Sequence, residues 1–320
     1  MHRPTEKSNA PGANSVSRPL PRGNLSHLLS AILLSAIAFS LGHSASVAAE
    51  GEGGQLNLLT YNVAGLPDWI SKSTPSINTP IISHLLNQYD IVVVQEDFDH
   101  HDALAQSAKH NYRSAPMTSF SRLNSDGLNR FSKVPFTDHT RVQWDTCYGT
   151  LRYANDCLAV KGFSMARHAL NGDISIDIYN LHADAGRSQG DKAARRDEFR
   201  QLAAFIEATS TGYAVIVAGD TNLRDHDADD EAILTEFLGR TGLAVVAREL
   251  GQPPEGIDRI MIRSSDTVRL EGIERGEAQE FLDSAGSPLS DHPAIRAVIT
   301  WQRIPDAPHN QDPVTVICEH

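Results

Sequence analysis

Cysteine, basic charge and long apolar runs are all scarce in this 320-residue sequence, and each scarcity excludes something. The three cysteines have no zinc-site spacing. Cys147 and Cys157 are close enough to staple one loop, leaving Cys318 unpaired; the alternative is three free thiols, which an oxidising compartment disfavours. Lys and Arg number 28 against 40 Asp and Glu, a formal net charge of −12. Such a surface repels polyanions and argues against sequence-independent binding of duplex nucleic acid, although a local basic groove stays open as an alternative. The one apolar run of note, Leu28 to Leu41, follows Arg3, Lys7, Arg18 and Arg22 and precedes Val47, Ala48 and Ala49. Residues 1–49 therefore read as a signal peptide, cut after about Ala49. The run is short and broken by Ser30, Ser35 and Ser40, which weighs against a membrane anchor. No other stretch is apolar enough to span a bilayer, so the mature chain is expected without a transmembrane segment, secreted or periplasmic, and as a monomer.

What is present is a series of buried strands that finish on polar groups. In YAVIVAGDTNLR (213–224) an apolar, β-branched run stops at Gly219 and delivers Asp220 and Asn222, two residues apart and able to point the same way. A turn following the strand would account for Gly-Asp equally well when this stretch is taken alone. QLNLLTYNV ends on Asn62, and DIVVVQE on Gln95 and Glu96. DISIDIYNLH alternates Ile174, Ile176 and Ile178 with polar residues and ends on Asn180 and His182. EGIDRIMIR carries Asp258, and Ser290, Asp291 and His292 stand directly before a final strand of Ala and Val.

Between these strands the pattern predicts a loop from Leu66 to Pro80, with an exposed Trp69-Ile70 pair, and a short helix over Ile81 to Gln88. Asp99 to Lys109 reads as a helix capped by Asp99, with His100 and His101 as solvated surface rather than metal ligands. Asp191 to Ala208 reads as an amphipathic helix burying Phe199, Leu202, Phe205 and Ile206, with Arg195, Arg196 and Arg200 outward. Asp229 to Gly239 reads as a further helix with acids at its start. Residues 112–163 are rich in Gly, Ser and Asn, as in loops at the mouth of a sheet. There is no repeat and no internal linker, so residues 50–305 are expected as one domain and 306–320 as a tail.

A core excludes such polar residues unless they are paired, so their recurrence at strand ends predicts one pocket at one edge of a sheet. The residue types fit metal-assisted phosphoryl chemistry. Glu96, with the Asn62 amide oxygen, suits an octahedral Mg²⁺ that keeps water and a phosphate oxygen. Asp258 beside His292 would hold the imidazole in one tautomer and raise its pKa for acid/base work. Asp220 could orient the attacking water, Asn222 could hydrogen-bond equatorial phosphate oxygens, and His182 could protonate or stabilise the leaving oxygen. Asp156 and Lys161, in NDCLAVKGF, read as a salt bridge, with Lys161 able instead to face an anionic substrate.

The motifs TYN, QE, NLH, GDTN, ID and SDH, in this order, resemble those of the DNase-I-like endonuclease/exonuclease/phosphatase superfamily over nearly the whole mature chain. The resemblance implies an α+β fold of four layers, two packed mixed β-sheets flanked by helices, and Mg²⁺-dependent phosphoester hydrolysis, with Mn²⁺ or Ca²⁺ as substitutes. It places Glu96 and Asn62 at the metal, Asp220 and Asn222 as the nucleophile and phosphate pair, Asp258 and His292 as the dyad, and His182 as the second catalytic histidine. Gln95, Asn180 and Asp291 match orienting positions. DCLAVKGF is similar to the secreted neutral sphingomyelinase branch, where an Asp and Lys at this spacing belong to a switch beside the active site, here Asp156 and Lys161. Two departures stand out. The aromatic, membrane-inserting hairpin of bacterial members is replaced by a polar, acidic stretch from Ile262 to Ser290 whose only aromatic residue is Phe281, and NLHADAG carries Asp184 after the histidine.

The expectation is thus a secreted metal-dependent phosphodiesterase acting by direct attack of water on a phosphodiester, with a phospholipid such as sphingomyelin as the leading substrate class. A secreted Mg²⁺-dependent nuclease is the alternative, with nucleic acid disfavoured by the acidic balance; a non-catalytic binding protein on the same scaffold is the second.

Overall fold

The computed structural model describes residues 52–117, 125–149, 157, 160–254 and 256–305. The predicted signal peptide, the tail, Asp156 and Cys318 lie outside the described residues. In chain order the first half comprises β1 (Gly53–Asn62), α1 (Pro75–Leu85), β2 (Ile91–Gln95), α2 (His101–Gln106), β3 (Tyr112–Arg113), β4 (Asn129–Ser132), β5 (Phe136–Gln143) and β6 (Gly162–Asn171). The second comprises β7 (Ile174–His182), α3 (Gln189–Thr209), β8 (Ala214–Asp220), α4 (Ala228–Thr241), β9 (Ala244–Val245), α5 (Val246–Glu249), β10 (Asp258–Arg263), β11 (Val268–Glu277) and β12 (Ile295–Arg303).

The strands form two mixed six-stranded sheets, ordered β11-β12-β1-β2-β4-β3 and β5-β6-β7-β8-β10-β9. Period-two alternation explains how they pack. Leu56, Leu58, Ile91 and Val93 of the first sheet meet Ile176, Ile178, Ile216 and Ile260 of the second in the central core. The intervening residues face outward: Leu59, Tyr61, Val92 and Val94 pack on Ile82 of α1 and Leu104 of α2, while Tyr179, Val215 and Val217 pack on Phe199 of α3 and Phe237 of α4. The result is the expected four-layer α+β sandwich.

Topology then fixes where polar ends collect. β1 runs parallel to β2, and β7 to β8, and the Asn62–Asp220 hydrogen bond brings the finishes of both pairs to one end. β12 and β10 run antiparallel to β1 and β8, so their starts arrive there too, Asp258 opposite Asp220. Gly219 sits at φ 145°, where a methyl group would run into the Leu181 carbonyl; only glycine lets β8 pass β7 this closely and turn out Asp220.

Several local readings need correction. The first helix begins at Pro75, in the predicted loop, because proline is tolerated at the opening position and only Pro80 interrupts its bonding. The second is shorter than expected, starts after His100 rather than Asp99, and buries His101, whose Nδ1 lies 2.6 Å from Asp97 Oδ2. Arg195 is buried rather than outward, because Asp230 of α4 receives its guanidinium at 2.8 Å. β11 was not foreseen: its Val268 and Leu270 reach the core, but an edge strand's other face is polar.

Candidate active site

The alternation that buries Leu56 and Leu58 continues to Thr60 and Asn62, and that of Ile176 and Ile178 to Asn180 and His182. The polar strand ends therefore project into the layer between the sheets and meet there. Asn62 is the link: its Nδ2 donates to Glu96 Oε1 at 3.1 Å and to Asp220 Oδ2 at 3.2 Å. Its amide oxygen, expected to face a cation, accepts from the Ala64 N–H at 3.1 Å with one of its two lone pairs. His182 Nε2 lies 3.4 Å from Asp220 Oδ2 and 3.9 Å from Glu96 Oε1. His292 Nδ1 lies 2.9 Å from Asp258 Oδ2, and its Nε2 is 3.8 Å from Asp220 Oδ2. Glu96, Asn62, His182, Asp220, Asp258 and His292 are thus brought together from six strands or strand ends.

Their electrostatics differ sharply. Burial, with Asp258 behind it, lifts the Asp220 carboxyl to about 6. Burial also raises Glu96, against the pull of Lys161 and the Asn62 amide. For His292 burial opposes the charge, but the hydrogen bond and charge of Asp258, with Asp220 and Asp291, raise it to about 10. His182 is pushed the other way, well below the usual histidine range, by burial and by the charges of Lys161 and His292. One imidazole is cationic at neutral pH and the other neutral, and both face Asp220.

The remaining expected residues frame this cluster. Asn222, at φ 49°, donates from Nδ2 to the Ala183 carbonyl, which Lys161 Nζ shares at 3.2 Å. Asn180 is an inter-sheet brace: its Oδ1 accepts from Gln95 Nε2 at 2.7 Å, and its Nδ2 donates to the Val94 carbonyl at 2.9 Å. It orients the strand pair behind His182. Asp291 is exposed next to His292. The Cys147–Cys157 disulfide is formed, and beside it the Tyr148 N–H donates to Asp184 Oδ2 at 3.0 Å.

Three contributors went unassigned in the sequence. Ser290 Oγ donates to the Asn62 carbonyl at 2.7 Å and accepts from the His292 N–H, joining β1 to the SDH turn. Trp144 Nε1 donates to the His182 carbonyl at 2.8 Å. Arg130, fully buried between the sheets, donates to the Ile178 carbonyl and Ser164 Oγ, and burial lowers it to about 9. Ser290 was legible in the SDH motif; Trp144 and Arg130 came from a stretch that reads as loop.

Glu96, Asp220 and Asp258 supply carboxylate oxygens, and ligand atoms of Asp220, Asp258 and His292 lie within 4.8 Å of one another. Hard, oxygen-rich donors of this kind fit a divalent cation of the Mg²⁺ type. Carboxylates poised between a charged and a neutral imidazole make a centre suited to acid/base chemistry on a two-sheet scaffold.

The chain belongs to the endonuclease/exonuclease/phosphatase family, whose sequence pattern matches residues 59–292. It is 35% identical over 266 residues to a sphingomyelinase of Mycobacterium tuberculosis, a match covering 76% of this chain and 52% of the relative. The chain therefore spans about half the length of the curated relatives it matches. In fold it is similar to D. rerio TDP2 complexed with a single-strand DNA product, with a TM-score of 0.60 and 19% identity over 77% of this chain and 99% of that one. A Staphylococcus aureus beta toxin with bound magnesium ions superposes with a TM-score of 0.56 and 16% identity, covering 76% and 99% of the two chains.

Proposed function

We propose that this chain is a secreted, divalent-cation-dependent phosphodiesterase that hydrolyses a phospholipid head-group diester of the sphingomyelin class. The observation that carries the reading is the convergence of Asn62, His182 and His292 on the Asp220 carboxylate. Glu96 would hold a Mg²⁺ ion, with Asn62 tying its carboxylate to Asp220. When bound, such a cation supplies neutralisation of the charge that develops on the phosphoryl oxygens.

The chain's own residues account for the rest. Asp220, ionised above about 6, orients a water and accepts its proton. His292, kept protonated by Asp258, donates a proton to the leaving oxygen. His182 is neutral and presents an N–H to the phosphoryl group without adding charge. Asn222 offers a carboxamide beside Asp220, and Lys161 a positive charge at the rim.

The sphingomyelinase relative supports a lipid substrate, and the magnesium-bearing beta toxin supports the cation. The disulfide accords with export. The DNA complex of TDP2 on the same fold favours a nuclease as second reading. Sphingomyelin vesicles and supercoiled plasmid, each incubated with Mg²⁺ and with EDTA, separate the two. Phosphocholine release with Mg²⁺ but not EDTA is expected; plasmid nicking without lipid turnover would replace the lipid reading with the nuclease one.

A further inference from the structure

Large apolar side chains are exposed very unevenly over this surface. Eight stand out among the described residues, and four of them, Trp69, Ile70, Ile77 and Ile81, fall within residues 69–81. Trp69 is 82% exposed and Ile77 63%. A clustered apolar surface marks an interaction site where scattered residues would not. The cluster is also built rather than frayed: Asp68 accepts from the Ser76 N–H at 3.0 Å, fixing the Trp69 turn to the start of α1, where Ile77 and Ile81 follow one helical turn apart.

The position of this cluster gives it meaning. Its segment leaves the catalytic strand end directly: the Gly65 N–H donates to the Glu96 carbonyl at 2.9 Å, and Ser71 Oγ to the Ala64 carbonyl at 3.2 Å. From α1, Asn78 Nδ2 donates to the Leu289 carbonyl at 2.9 Å, tying the helix to the turn that carries exposed Leu282. That turn walls a cleft of about 330 Å³ running along His292, lined by Tyr61, Phe281, Leu282 and Pro288. The segment bearing the apolar surface is thus tied at one point to the strand end that carries Glu96 and at another to the turn beside His292.

Charge selects the occupant. The chain as a whole carries −12, yet residues 64–89 hold one aspartate, Asp68, and one lysine, Lys72, apart from His84. A neutral, apolar face with a protruding tryptophan suits the head-group region of a zwitterionic bilayer, where an indole buries its ring and keeps its N–H wet. One acid and one base of opposite sign give a strongly charged partner little to pair with.

We propose that Trp69, Ile70, Ile77 and Ile81 dock this protein onto a zwitterionic phospholipid surface, with Leu282 on the far rim, so that a lipid phosphodiester is presented to Glu96 and His292. The proposal rests on the phosphodiesterase reading for its purpose but not for its test. The chain has three tryptophans, and Trp144 and Trp301 are buried, so Trp69 alone can report contact with lipid.

The full chain, mixed with phosphatidylcholine vesicles, is expected to show a blue shift of emission and quenching by brominated phosphatidylcholine. The Ile77→Ser, Ile81→Ser double variant, which keeps the reporter, is expected to need roughly tenfold more lipid for the same quenching. Its turnover of vesicle sphingomyelin, taken as a ratio to turnover of soluble bis(p-nitrophenyl) phosphate, should fall by a similar factor. Two results overturn the docking surface: no quenching by brominated lipid, or quenching and ratio unchanged in the variant. An emission shift that follows protein concentration instead of lipid also overturns it and makes the patch a contact between copies of the chain. Failure to hydrolyse the soluble diester would remove the phosphodiesterase reading while leaving the quenching result to stand.

Discussion

Asp220 accepts from Asn62, lies 3.4 Å from one histidine and 3.8 Å from another, and faces Asp258 across the β8–β10 pair. A carboxylate so surrounded is costly to bury and is retained where its charge is used. Two ionisations then set the pH dependence. Asp220 must be deprotonated to accept a proton, so activity is expected to rise as pH increases through about 6. His292 must be protonated to donate one, so activity should fall as pH increases through about 10. Steady-state kcat/KM on dispersed sphingomyelin, whose alkoxide leaving group needs a proton, reads both limbs across pH 5 to 11. His292→Ala is expected to lower kcat by about 10²- to 10⁴-fold and remove the alkaline limb. Glu96→Gln tests the cation separately. Saturating Mg²⁺ should raise the melting temperature of the wild type by about 5–10 °C and that of the variant hardly at all. At this scale the sequence was informative wherever a polar residue ended an apolar strand. It was silent on which way the Asn62 amide turns, because a local bond from the Ala64 N–H competes for its oxygen.

Strands were legible as elements when both faces were apolar or when alternation was clean, as in β1, β2, β7 and β8. β11 was hidden because its outward residues, Arg269 and Glu271, make it read as a polar connection, and the first part of α1, before Ile81, because its two prolines read as breaks. Arg195 shows a further limit. Its helical face is amphipathic in sequence, yet Asp230, 35 residues away, draws the guanidinium inward with both side chains at 0% exposure. Removing one partner strands the other's charge. Asp230→Ala is therefore expected to cost about 3–5 kcal/mol, read as a fall in melting temperature of roughly 10 °C. A drop of a degree or two would mean that water reaches Arg195.

For the whole molecule, the two sheets place their active ends together because parallel neighbours contribute their finishes and antiparallel neighbours their starts. Polar residues recurring at strand ends from Asn62 to His292 predict one pocket from the sequence alone, whereas the buried Arg130 that braces the sheets gives no signal in a stretch rich in Gly, Ser and Asn. The account is tested most directly by hydrolysis of bis(p-nitrophenyl) phosphate by the wild-type chain and by Asp220→Asn, each with Mg²⁺ and with EDTA. It requires turnover by the wild type that EDTA abolishes, and a loss of about 10²-fold or more in the variant. Equal turnover by the two chains, or turnover indifferent to EDTA, would contradict it.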